Sequence, residues 1–220
     1  MGLQAAPNRW LSGRLAKPLV FVAALAPALW LVLAAAMDWL GANPAEALER
    51  STGDWALRML CVVLAVTPLR TVAPLPALAR FRRMLGLFVY FYAVLHLLAY
   101  GWFDMGFELA DIARDIPKRP FILVGFTAML LLTPLALTSF NRAIRALGGK
   151  RWQALHRLVY GVAGLAIVHF FWMRAGKHNF AEVAVYAAIL GVLLGWRLLR
   201  FVRKIGLQPS SLLRRQLSKQ

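Results

Sequence analysis

RRMLGLFVYFYAVLHLLAYGWF, residues 82–103, opens on two arginines, stays apolar from Leu85 onward and closes on an aromatic cluster. The run from Leu85 to Phe103, at about 1.5 Å per residue, is long enough to cross the roughly 30 Å hydrocarbon core of a bilayer. In lipid, the backbone polar groups must be satisfied within the element itself. No period-two alternation competes with a helical reading, so the stretch predicts a transmembrane helix that begins at a basic edge. One ionisable side chain interrupts its apolar interior, His96.

Five further runs of the same kind flank it, giving predicted spans at about 18–37, 55–69, 85–103, 121–137, 155–173 and 181–199. The first follows Arg9, Arg14 and Lys17 and has about the 20 residues of a span, too many for the apolar core of a signal peptide. The second is the weakest, with Arg58 and Pro68 near its ends, and reads as tilted or partly interfacial. Residues 71–79, TVAPLPALA, are apolar but broken by two prolines. They read as a connector along the membrane surface that could help line a quinone or flavin site.

The charges orient these spans. Basic residues gather before the first span, between the second and third (Arg70, Arg80, Arg82, Arg83), between the fourth and fifth (Arg142, Arg145, Lys150, Arg151), and in the basic tail over 200–220. Every acid in the chain falls in the alternate loops: Asp38, Glu46, Glu49, Asp54; then Asp104, Glu108, Asp111, Asp115; then Glu182. Loop Lys/Arg bias sets topology, so both termini are expected in the cytoplasm, which requires an even number of spans. The predicted class is an all-α integral membrane protein, a single domain of about six transmembrane helices, N-in and C-in.

Composition sets the exclusions. The 220 residues are 60% hydrophobic with formal net charge +17, and the mean hydropathy is +0.62. The basic residues sit in clusters between apolar runs rather than along one polar face, which indicates membrane topology and lipid contact, not nucleic acid. A single cysteine, Cys61, excludes disulfides, iron-sulfur ligation and Cys-based zinc sites. The residues after the last span are too few for a nucleotide-binding domain, so any NAD(P)H-oxidising module must be another protein.

Of four histidines, His96, His156 and His169 fall within predicted spans, where an unpartnered imidazole costs free energy. A lone helix histidine is also an ordinary interhelical hydrogen-bonding group. Depth separates the three. His96 lies roughly 20 Å from the basic edge at Arg83, and His169 precedes Arg174 by five residues, so both belong to the outer leaflet at similar depth. Two imidazoles from two helices, with neither cysteine nor intramembrane carboxylate beside them, suit haem b iron better than zinc or a hard cation. Gly101, Gly161 and Gly164 would let a flat macrocycle approach, although glycine in such helices also serves close packing.

His156 lies near the cytoplasmic end of the fifth span, roughly 140° around the axis from His169. Position 83, opposite it in depth, is arginine, so a second bis-histidine site lacks its obvious partner and His156 stays ambiguous. Arg174 and Lys177 stand at the height where haem propionates would emerge, and equally where cationic side chains snorkel to the interface. His178 reads as a solvated loop residue, and Tyr100, Trp102, Phe103 and Trp172 as an aromatic belt.

The segments at 82–100, 118–126 (KRPFILVGF), 131–139 (LLTPLALTS), 151–160 (RWQALHRLVY) and 169–172 (HFFW) carry a family likeness. Their order and spacing resemble the haem-binding membrane subunits of bacterial periplasmic methionine-sulfoxide reductase systems, the MsrQ (formerly YedZ) family. The resemblance implies a ferric-reductase-like domain in the inner membrane that carries haem b and FMN. It implies electrons drawn from the quinone pool and passed to a periplasmic molybdopterin subunit that reduces methionine sulfoxide. His96 and His169 match the family's haem-ligand positions, and His156 matches a further family histidine. The chain would then be an electron-transfer subunit, with no catalytic residue of its own.

Two other readings compete: a stand-alone membrane ferric or quinone reductase using the same haem, and a haem-free transporter or structural membrane protein. The acidic outer loops, Asp38 to Asp54 and Asp104 to Lys118, are expected to dock the periplasmic partner.

Overall fold

The computed structural model describes residues 5–73, 75–175 and 180–206. Lys177, His178 and most of the tail expected over 200–220 lie outside the described residues. A short helix, α1 (Ala5–Ser12), precedes α2 (Ala16–Ala36) and α3 (Pro44–Val72). A 3₁₀ segment, Pro76–Phe81, leads into α4 (Arg82–Ala99), which ends in a π turn over Tyr100–Asp104. Then come α5 (Leu109–Lys118), α6 (Pro120–Leu137), α7 (Asn141–Leu155), α8 (Leu158–Ala175) and α9 (Ala181–Gly206). Six of these stretches are long and apolar enough to cross a membrane, namely Ala16–Ala36, Pro44–Val72, Pro76–Asp104, Pro120–Leu137, Leu158–Ala175 and Ala181–Ile205. The protein is an all-α, multi-pass membrane protein, and no strand occurs among the described residues.

The second crossing is one of the two longest, although its hydropathy is among the lowest of the six. Asn43 caps it by accepting the Glu46 N–H at 3.1 Å, and Pro44 occupies the first helical position. Arg58 does not end it. Its guanidinium is 3.8 Å from Asp54 one turn away, donates to the Tyr186 hydroxyl at 3.0 Å and lies over the Trp55 ring. Hydropathy counts Arg58 as a cost, whereas the fold gives it partners.

The helices pair in antiparallel fashion, α3 along α4 and α6 along α8, with α9 beside α3 and α8. Between α2 and α4, Tyr92 is fully buried; its hydroxyl donates to the Ala24 carbonyl at 2.7 Å and accepts the Ala28 N–H at 3.2 Å. An unbroken helix would join those two groups directly, and Pro27 beside them opens the ladder that Tyr92 closes. Side chains facing away from the bundle, such as Trp30, Val32 and Val192, are exposed and apolar, as a lipid-facing surface requires.

Two further helical stretches lie in the loops and have no buried residue, the amphipathic α5 and α7, the latter broken at Gly148, where φ is +72°. At the basic end, Arg80 donates to the carbonyls of Leu11, Ser12 and Gly13, capping α1, while Asn8 accepts the Ala77 N–H. The proline-broken connector is therefore pinned by α1. At the other end Tyr100 is buried rather than part of an aromatic belt. Its hydroxyl donates to Asp115, which also pairs with Arg119 at the start of α6. Trp102, Phe103 and Trp172 are exposed at that edge.

Candidate cofactor site

The long α3 and the antiparallel α4 place the Glu49 main-chain carbonyl beside His96, whose Nδ1 donates to it at 2.9 Å. Across the bundle, the first turn of α6 offers the Phe121 carbonyl to His169 Nδ1 at 2.7 Å. A carbonyl only accepts, so each Nδ1 carries the proton and each Nε2 of the neutral ring keeps its lone pair. This outer hydrogen bond fixes tautomer and orientation, as it does for metal-binding imidazoles generally.

The two rings face one another from α4 and α8, with centroids 6.0 Å apart and planes at 75°. An atom bonded to both Nε2 at about 2 Å would set imidazole centroids about 6 Å apart. No group of three or more His, Cys, Asp or Glu gathers as a metal site among the described residues, so a metal held here must bring further ligands with it. A haem iron does, since its macrocycle brings nitrogens of its own, and His96 and His169 would be the residues to hold it. The pair fits such a metal.

Two glycines absent from the sequence-level reading make the arrangement possible. A Cβ at Gly53 on α3 would stand 3.2 Å from the His96 ring, and a Cβ at Gly125 on α6 would stand 2.8 Å from Cε1 and Nδ1 of His169. Each imidazole therefore lies against a helix backbone that has no side chain at that point. Of the glycines expected to matter, Gly101 faces Phe107, while Gly161 and Gly164 face open space. Nothing in the sequence marks Gly53 or Gly125, because their meaning depends on which face of a neighbouring helix meets them.

His156 is not part of this pair. It sits at the joint between α7 and α8, thirteen positions and roughly 20 Å along the chain axis from His169. Its Nε2 is 3.3 Å from the Thr138 hydroxyl, and its ring stacks 3.9 Å from that of Trp152. Trp152 in turn donates to the Thr138 carbonyl at 2.9 Å. Arg174, in the last turn of α8, pairs with Glu182 in the first turn of α9 and lies over the Phe170 ring.

The described residues around His156 also line a cavity of about 290 Å³ whose walls include Arg70, Arg82, Arg83 and Arg197.

Residues 52–167 match the family model described as ferric reductase like transmembrane component. A protein of Polaromonas naphthalenivorans named "Protein-methionine-sulfoxide reductase heme-binding subunit MsrQ" is 69% identical over 193 residues, 88% of each chain. Proteins with the same name from Ralstonia nicotianae and Herminiimonas arsenicoxydans are 54% and 52% identical over 81–83% of each chain. No solved structure matches the chain. With more than half its length inside that family model, and with such relatives covering most of it, the chain belongs to the ferric-reductase-like transmembrane family and to its MsrQ branch.

Proposed function

We propose that this chain is a haem b-containing membrane electron-transfer subunit that takes electrons from the quinone pool, by way of FMN, and delivers them to a periplasmic molybdopterin methionine-sulfoxide reductase. The observation that carries the reading is the facing pair His96 and His169, each with Nδ1 engaged by a backbone carbonyl and Nε2 left to ligate. The relatives' printed name, a haem-binding subunit of that reductase, supports it. Loop charge supports the direction, since the positive-inside rule makes the Arg/Lys-rich face cytoplasmic and puts the histidine pair nearer the periplasm of the inner membrane.

When bound, haem b would supply a one-electron carrier at the pair. The chain's own residues orient the two imidazoles and hold their Nδ1 protons. The overall stoichiometry balances: oxidation of a quinol to a quinone yields two electrons and two protons, and reduction of a sulfoxide to the thioether consumes both and releases water. In this reading the chain delivers electrons as a subunit, and the sulfoxide is reduced on the partner. FMN, the quinone donor and the molybdopterin partner rest on the family resemblance.

The test is a dithionite-reduced minus oxidised absorption spectrum of the purified protein, repeated for His96→Ala, His169→Ala and His156→Ala. The parent is expected to show b-type bands that vanish in the first two variants and persist in the third. A parent spectrum without them defeats the haem reading. Reduction of soluble ferric chelates at full rate without any partner would favour the stand-alone reductase instead.

A further inference from the structure

One device builds both halves of the histidine pair. On α3 the Glu49 carbonyl stands four residues before Gly53, and on α6 the Phe121 carbonyl stands four residues before Gly125. In each case the antiparallel partner helix, α4 or α8, delivers a histidine whose Nδ1 donates to that carbonyl across 47 or 48 residues of chain. The glycine is what opens the carbonyl. In a helix the carbonyl of one residue accepts the N–H four residues on, and the side chain at that later position leans back over the bond. Where that position is glycine, the carbonyl's second lone pair stays open to an imidazole. A Cβ would meet the His96 ring at 3.2 Å and the His169 ring at 2.8 Å. Thr52, only 5% exposed, steadies the first acceptor, since its hydroxyl bonds the carbonyls of Leu48 and Glu49 at 2.7 and 3.0 Å.

Each ring is therefore held on two sides. Turning it about Cβ–Cγ would draw Nδ1 away from its carbonyl and drive the ring into the helix backbone at the glycine, where no side chain is present to give way. The α3 backbone sets one plane and the α6 backbone sets the other. They are crossed at 75°, near a right angle, with centroids 6.0 Å apart.

We infer that the Glu49 and Phe121 carbonyls are positioning groups that keep the imidazoles of His96 and His169 crossed when a metal is bound between them, with Gly53 and Gly125 exposing those carbonyls. The inference rests on the proposed haem and adds the orientation of its protein ligands. That orientation has an electronic consequence. An imidazole donates π density to the iron d orbital lying at right angles to the ring. Parallel rings load one orbital of the pair and split it from the other, whereas crossed rings load both alike and leave them nearly degenerate. There is a consequence for electron transfer as well. Rings pinned by backbone on two sides do not rotate as the iron gains or loses an electron, so the site is preorganised for both states.

The experiment is frozen-solution electron paramagnetic resonance of the purified full-length ferric protein, with the optical spectrum read on the same sample. Crossed rings are expected to give the highly anisotropic low-spin signal, a single dominant low-field line. Parallel rings give a rhombic signal with every feature resolved. A b-type optical spectrum with a rhombic resonance overturns the orientation and leaves the haem reading standing, whereas absence of b-type bands removes both. What holds the ring is tested in His96→Gly loaded with haem in the presence of a free ligand. Imidazole, whose N–H can still reach the Glu49 carbonyl, should restore the parent signal. N-methylimidazole ligates through the same kind of nitrogen but has no N–H to donate. It should bind about tenfold more weakly, the loss that follows removal of the outer hydrogen bond, and give a less anisotropic signal. The same signal and affinity with both ligands, or failure of imidazole to restore the parent signal, overturns the role of the carbonyl.

Discussion

Replacing Gly125 by alanine tests the histidine pair without touching a histidine. The new Cβ would lie 2.8 Å from Cε1 and Nδ1 of His169, about 0.6 Å inside ordinary contact. The ring cannot simply back away, because its Nδ1 is held at 2.7 Å by the Phe121 carbonyl from the same helix. Either the hydrogen bond stretches beyond useful length or α6 and α8 separate, at a cost on the order of 1–3 kcal/mol. A shift of that size also spoils the aim of Nε2, and loss of the hydrogen bond that orients a metal-binding histidine typically lowers metal affinity about 10–100-fold. Haem titration of the purified apoprotein, followed by absorbance, should show a loss of that size in Gly125→Ala. Gly53→Ala should lose less, because its Cβ meets His96 at 3.2 Å, and carbon monoxide should bind to the reduced Gly125→Ala protein if one axial bond has opened. Parent affinity and spectrum in Gly125→Ala would refute the packing argument.

The remaining predictions concern the acidic face. Reversing the exposed Glu108 and Asp111 to lysine should slow electron delivery to a periplasmic acceptor subunit several-fold at low salt, with parent haem content and a difference that shrinks as salt is added; equal rates at low salt would remove this surface from docking. Arg119 beside Asp115, aided by the Tyr100 hydroxyl, holds the Asp115 carboxyl below its ordinary value of 3.8. A depressed value stabilises the folded state above the ordinary pKa, and that contribution is lost as pH falls through the lower folded value. Asp115→Asn should therefore lower the thermal midpoint at neutral pH and narrow the gap from the parent on acidification below about pH 4; a gap that is constant with pH would show that the carboxylate's charge is not what matters.

Much of the fold was legible because bilayer thickness sets helix length and the hydrocarbon core rejects charge, two constraints that a hydropathy profile reads directly. The second helix shows where that reading falls short. Its true start was written as Asn43-Pro44-Ala45-Glu46, a cap followed by a helix-initiating proline, but a count of apolar residues passes over a polar first turn. The same count discounted Arg58, which Asp54 and Tyr186 make tolerable. The loop helices α5 and α7 were missed for a related reason, since they lie outside the apolar runs.

At the site, the sequence by itself determined depth: counting from Arg83 and Arg174 brought His96 and His169 to one level. It could not determine azimuth. In a membrane helix both the lipid-facing and the core-facing sides are apolar, so the pattern that reveals the inner face of a soluble helix is absent. Only the tertiary packing decided that the two imidazoles face each other, that Gly53 and Gly125 give them room, that Tyr100 turns inward to Asp115, and that Arg197 points into the bundle instead of toward the basic surface.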